Sequence, residues 1–220
     1  MVRFLAMLLC GVMVFAPQGQ NERRKPVALT VQLTGEQDVG RLLESLEKTH
    51  ARLTFFLGDG GLSQEQTEAI VEGGHEMGLT IHSREQGRLL SRRNMAAQIV
   101  DNRSGLPRKV KPRWLRLEEG LTDGARQVAG VKNLAILGES DGVGVMDLGA
   151  ASVDEVLLTV QRLQGQGYRM VTVSELARLN RVKVRPGRVY DSLLRRNSNG
   201  RQVTVLSVGP LSSNPIYPQK

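Results

Sequence analysis

Cysteine is almost missing from this sequence. The single one, Cys10, leaves no partner for an intrachain disulfide and rules out a cysteine-rich metal cluster. Aromatic residues are scarce at 4%, so aliphatic side chains must fill the core. Histidine occurs only as His50, His75 and His82, so any imidazole chemistry must draw on those three. No apolar run reaches the ~20 residues of a membrane-spanning helix; the longest, Phe4 to Ala16, is shorter. A Gly-x-Ser-x-Gly nucleophile elbow is absent, and Gly58-Asp-Gly-Gly61 lacks both the spacing and the lysine of a phosphate loop. Acids are outnumbered, 22 against 30 Lys and Arg, for a formal charge of +8. The basic residues are dispersed in short clusters such as Arg23-Arg24-Lys25 and Arg195-Arg196. They form no nucleic-acid motif, so a nucleic-acid partner is not expected. A basic surface of this kind favours anionic polymers or headgroups.

What is present begins with export. Arg3, the apolar run and the small residues Val14 and Ala16 describe a secretory signal or, uncleaved, an N-terminal anchor over residues 1–16. This predicts a secreted or cell-envelope protein that touches a membrane only through that segment. A basic linker follows over 17–26, then one α/β domain over 27–180 and a C-terminal extension over 181–220. Within the domain short apolar runs alternate with amphipathic stretches. Strands are predicted at Val27–Val31, Leu53–Leu57, Gly78–His82, Trp114–Leu117, Asn133–Leu137, Gly144–Met146 and Met170–Val173. Helices are predicted after Asp38, after Ser63 with a capping box to Gln66, over 88–102, over Asp123–Ala129, after Ser152 and after Ser174. A further strand is read at Val203–Val208. Such alternation implies a parallel sheet with right-handed crossovers.

Three stretches carry a family resemblance: Val27–Val31 followed by Leu53–Leu57, then Gly73-Gly-His-Glu-Met-Gly78, then Gly165–Leu176 with its Gly-Tyr-Arg-Met-Val-Thr-Val core. In order and spacing they resemble the polysaccharide deacetylases, the NodB-type homology domain of carbohydrate esterase family 4, over residues 26 to 179. The resemblance implies an α/β fold of distorted, incomplete (β/α) barrel type, with chemistry at the C-terminal ends of the strands. It also implies removal of an acetyl group from an N-acetylated sugar with a zinc-like divalent metal. The family's aspartate pair, base and metal ligand, falls on Gln32 and Leu33. Its two histidine ligands fall on Thr80 and Arg84, and its later histidine acid on Asp147. Its Arg-Pro-Pro-Tyr-Gly motif becomes Arg116-Leu-Glu-Glu-Gly120.

A divalent metal needs about three O or N donors. Leucine offers none, threonine only a neutral hydroxyl, arginine a fixed cation, and Gln32 cannot take up a proton as a carboxylate can. No metal cofactor is therefore expected and the family mechanism reads as lost, with Arg84 a substitute positive charge in the vacated space. The partner expected is a glycan or an anionic cell-wall polymer. A residual hydrolase of carbon-nitrogen bonds is the alternative, using His82 with Asp147, Arg116, Glu118 or Glu119 at a shifted site. The plainer account of His82 is a strand-end residue hydrogen-bonded locally. A structural or regulatory envelope role is a third reading. His75 reads as structural, His50 as exposed at a helix end, and Trp114 as either a core residue or a sugar-stacking ring.

Overall fold

The computed structural model describes residues 24–58, 61–138, 144–191 and 193. The N-terminal apolar run, linker residues 17–23, the centre of the 58–61 turn and the strand read at 203–208 lie outside the described residues. The chain runs β1 (Lys25–Leu33), α1 (Val39–Thr49), β2 (Thr54–Leu57), α2 (Gln64–Glu72), β3 (Glu76–His82), β4 (Arg84–Glu85), β5 (Arg88–Leu89) and α3 (Arg92–Ser104). It continues with β6 (Trp114–Glu118), α4 (Asp123–Val131), β7 (Ala135–Leu137), β8 (Val145–Asp147), α5 (Val153–Gly165), β9 (Tyr168–Val171), α6 (Val173–Leu179) and β10 (Val189–Tyr190).

Eight strands make one parallel sheet in the order β10-β7-β6-β3-β2-β1-β8, with β9 alongside the first half of β1. The parallel sheet is what the alternation predicts, and it curls into an incomplete barrel, as the family resemblance implies. Period-two alternation sends β1 side chains to two different layers. Leu29, Val31 and Leu33 join Leu42, Leu46, Ile70, Val156 and Leu163 under the helices. Ala28 points the other way, into an inner cluster with Phe56, Trp114, Ala135, Val145 and Val171. The Phe56 ring lies where a Cβ on Gly78 would be, 2.6 Å from the nearest ring carbon, so only glycine fits there.

The caps decide several boundaries. Asp38 accepts from the Arg41 amide at the start of α1, and Ser63 and Ser152 form complete capping boxes. His50 ends α1 in a left-handed conformation and is exposed. The helix expected over 88–102 instead begins at Arg92, capped by Ser91. Residues 84–89 form a small antiparallel hairpin, whose two turn residues, Gln86 and Gly87, both have positive φ. Of the apolar residues in that stretch, Leu89 and Val100 are exposed, whereas Met95 and Ile99 are buried. The last crossover helix is capped by Thr172, whose hydroxyl accepts from the Glu175 amide, not by Ser174. Past residue 180 the chain adds β10 to the sheet, setting Tyr190 edge-on to Trp114 and burying Leu193.

The stretches that carry the resemblance meet at the N-terminal end of the strands. The His75 ring nitrogen Nδ1 accepts the Leu53 amide at 3.1 Å, and the ring packs edge-on to Phe55. Glu76 accepts from the Thr54 hydroxyl and from both the amide and hydroxyl of Ser174. Ser174 in turn accepts from the buried Trp114 indole at 3.0 Å. The Gly-His-Glu stretch therefore locks α6 under the barrel. Trp114 is a core residue on the side away from the strand ends where chemistry would sit.

Candidate functional site at the strand ends

The inward positions at the C-terminal ends of four strands converge. They are Thr30 and Gln32 of β1, Thr80 and His82 of β3, Arg116 and Glu118 of β6, and Asp147 of β8. Asp147 accepts from the Thr30 hydroxyl at 2.8 Å and from the Gly149 amide at 3.1 Å, while its other oxygen pairs with the Arg116 guanidinium. That guanidinium also lies over the Phe56 ring, 5.7 Å from its centre. Burial pushes its pKa down and the charge of Glu118 opposes that shift; arginine remains a cation at physiological pH. One Arg116 nitrogen, Nη1, and the Thr80 hydroxyl are buried without a hydrogen-bond partner among the described residues.

A second group sits at the rim. Glu118 accepts from the Gln32 amide through one oxygen and faces His82 Nδ1 with the other, at 3.3 Å. Glu119 reaches the same nitrogen at 2.8 Å. Glu119 has a left-handed backbone, φ 59°, an uncommon conformation for a residue with a Cβ. Partial burial alone would raise its pKa. The hydrogen bond and charge of His82, with the backbone amides of Arg84 and Ser83, outweigh this and hold its carboxyl below the usual range. The strand end beneath is pinned by α3. Gln98 accepts the His82 amide at 2.8 Å, and Asn102 donates to the Thr80 carbonyl at 2.7 Å.

The residues placed on the family's ligand positions do not assemble a metal site. Leu33 is in the outer hydrophobic layer, on the opposite face of β1 from Gln32. Thr80 is buried and neutral, and Arg84 is on the exposed hairpin, where it donates to the Gly87 carbonyl. The vacated interior is therefore filled by Arg116, not by Arg84 as the sequence suggested. Asp147 does reach the old centre, but both its oxygens are committed to donors. His82, at the end of β3, faces both rim glutamates. Sequence reading passed over Thr30, Gln98 and Asn102. Their only signal was the inward period of β1 and the four-residue spacing of polar side chains on α3.

A groove of about 570 Å³ opens beside this rim, between the hairpin and α3, and is lined by His82, Glu119, Gln86, Asn94, Gln98 and Asp101 among others. No protein-family model matches the sequence, and no curated protein does. Among solved structures the chain is similar to the Xyl-CE4 domain of a multidomain xylanase from the hindgut metagenome of Trinervitermes trinervoides, at 18% identity and a TM-score of 0.66, covering 81% of this chain and all of that one. It is also similar to a family 4 acetyl xylan esterase from Clostridium thermocellum in complex with a cobalt ion (18%, TM-score 0.62, 76% and 98% covered). A CE4 family pseudoenzyme from Bacillus anthracis matches at 18% and a TM-score of 0.55, with 76% and 70% covered. The chain has the fold of the carbohydrate esterase family 4 deacetylases.

Proposed function

We propose that this protein is an exported, envelope-associated deacetylase relative that binds a glycan in the rim groove and does not carry out the deacetylation typical of the resemblance. One observation carries the reading: at the strand ends the metal ligands are replaced by a partly exposed Arg116–Asp147 ion pair, flanked by neutral Thr80 and Gln32. A fixed cation in the vacated centre repels a divalent metal, and a carboxylate already engaged by three donors is not free to move a proton. The groove supports binding. Amides and carboxylates on Gln86, Asn94, Gln98, Asp101 and Glu119 are groups that pair with sugar hydroxyls. Xylan-related neighbours and a pseudoenzyme on the same fold are in keeping with it.

The test uses the full chain with an N-acetylglucosamine oligomer and with acetylated xylan, each with and without added cobalt. The expected result is no acetate release in any arm and saturable binding to at least one glycan, weakened by Gln98→Ala and Asn94→Ala together. Acetate release that tracks protein concentration would overturn the loss of chemistry. Failure to bind either glycan would remove the binding role.

A further inference from the structure

We infer that His82, Glu118 and Glu119 form a divalent-cation site at the rim of the barrel, displaced from the centre that the family resemblance marks out. The inference is separate from the glycan-binding reading. Nδ1 of His82 and one oxygen from each glutamate lie within 4.8 Å of one another, with His82 Nδ1 at 2.8 Å from Glu119 and 3.3 Å from Glu118. Donors sharing one ion at about 2.0–2.1 Å stand roughly 2.9–3.4 Å apart, and the two His82–glutamate distances are already close to that range. One imidazole and two carboxylates suit zinc and its neighbours among the divalent transition metals, and three protein donors leave a position open.

The donors are held from outside the cluster. The Gln32 amide engages the Glu118 oxygen that faces away from His82, which leaves the other oxygen for the ion. Backbone amides of Arg84 and Ser83 hold Glu119, and the positive φ of Glu119 turns its side chain back over β3. Gln98 grips the His82 backbone through its amide N–H at 2.8 Å and its carbonyl at 3.5 Å. Outer partners of this kind are what orient metal ligands.

Among the described residues the nearby cations are turned elsewhere. Arg116 is paired with Asp147, and the Arg84 guanidinium is turned to the Gly87 carbonyl. Two carboxylates face one imidazole at the rim, and a dication would neutralise their charge. Glu119 and His82 also line the groove, so an open coordination position there would face an oxygen ligand entering it.

The test is zinc alone, titrated into the full chain by calorimetry, with metal content measured after dialysis. Wild type is expected to hold one zinc per chain. His82→Ala and Glu119→Gln are each expected to weaken binding by at least ~10-fold. His50→Ala, remote from the rim, serves as the control and is expected to match wild type. Thermal melts guard against misfolding: zinc raises the melting temperature of wild type and His50→Ala and leaves both rim variants unmoved. No zinc above background, or binding that survives both rim substitutions, overturns the site. Because no glycan is present, a negative result here is distinct from failure of the glycan reading.

Discussion

Arg116 shows how one side chain decides what the interior can do. It is largely buried, stacked near Phe56 and paired with Asp147. The Asp147 side chain is 33% exposed and keeps its Thr30 and Gly149 donors, so breaking the pair costs on the order of 1 kcal/mol. Arg116→Met is therefore expected to lower the stability measured by urea unfolding by about that amount. The double variant Arg116→Met, Asp147→Asn is expected to recover most of it, and a double variant as unstable as the single would refute the pairing. His75 gives a pH signature. Burial, helped by the Arg52 charge, pushes its pKa down from 6.5 to about 4. Between those values the unfolded chain binds more protons than the native one. The stability associated with a neutral His75 is thus complete above 6.5 and lost as pH falls toward 4. The loss is on the order of 3 kcal/mol. Stability measured across this window should flatten in His75→Gln, which has no proton to gain.

At the scale of elements, the rim exists because three of them meet. β3 supplies His82, the β6 end supplies Glu118 and Glu119, and α3 ties the β3 end down through Gln98 and Asn102. The residue types suggest His82 with Glu118 or Glu119 as one alternative, but the tie from α3 through Gln98 and Asn102 is not legible in the sequence. The hairpin at 84–89 was equally hidden: its apolar residues imitate a helix start, but Gln86-Gly87 closes a two-residue turn and Ser91 restarts the helix later. Strand β10 is the other late addition. It covers the edge of β7, sets Tyr190 against Trp114 and buries Leu193 completely. Ending the chain at Asn180 removes those contacts, and each large side chain lost from the core is worth roughly 1.5–3 kcal/mol. The truncated protein is expected to melt several degrees lower and to aggregate through the bared β7 edge; an unchanged melting temperature would show β10 to be dispensable.

For the molecule as a whole, basic residues exceed acidic ones by 8, while the rim brings two carboxylates together. If the bound polymer is anionic, the basic exterior contributes to its capture, and the glycan titration should weaken as salt shortens the screening length. A neutral oligosaccharide held by amides and carboxylates in the groove should respond little. The fold also separates two jobs by end. The N-terminal side of the barrel is closed by the Trp114, Ser174, Glu76 and Thr54 network, which is structural. Among the described residues, the C-terminal side carries His82, Arg116, Glu118, Glu119 and Asp147, as expected for parallel barrels.

The alternation of apolar runs with capped amphipathic stretches determined, from sequence alone, a parallel α/β domain and most of its helix starts. Local rules suffice there, because a cap or a period is written into neighbouring residues. The replacement of ligand types at Gln32, Leu33, Thr80 and Arg84 was equally legible, since a side chain's donor atoms do not depend on its surroundings. What only the tertiary structure decided is which charges meet. Arg116 rather than Arg84 fills the interior, Leu33 faces the helices, and His82 finds Glu118 and Glu119 across two strands. Those outcomes depend on strand register and on a single left-handed residue, Glu119, and register is set by the packing of the whole sheet rather than by any one segment.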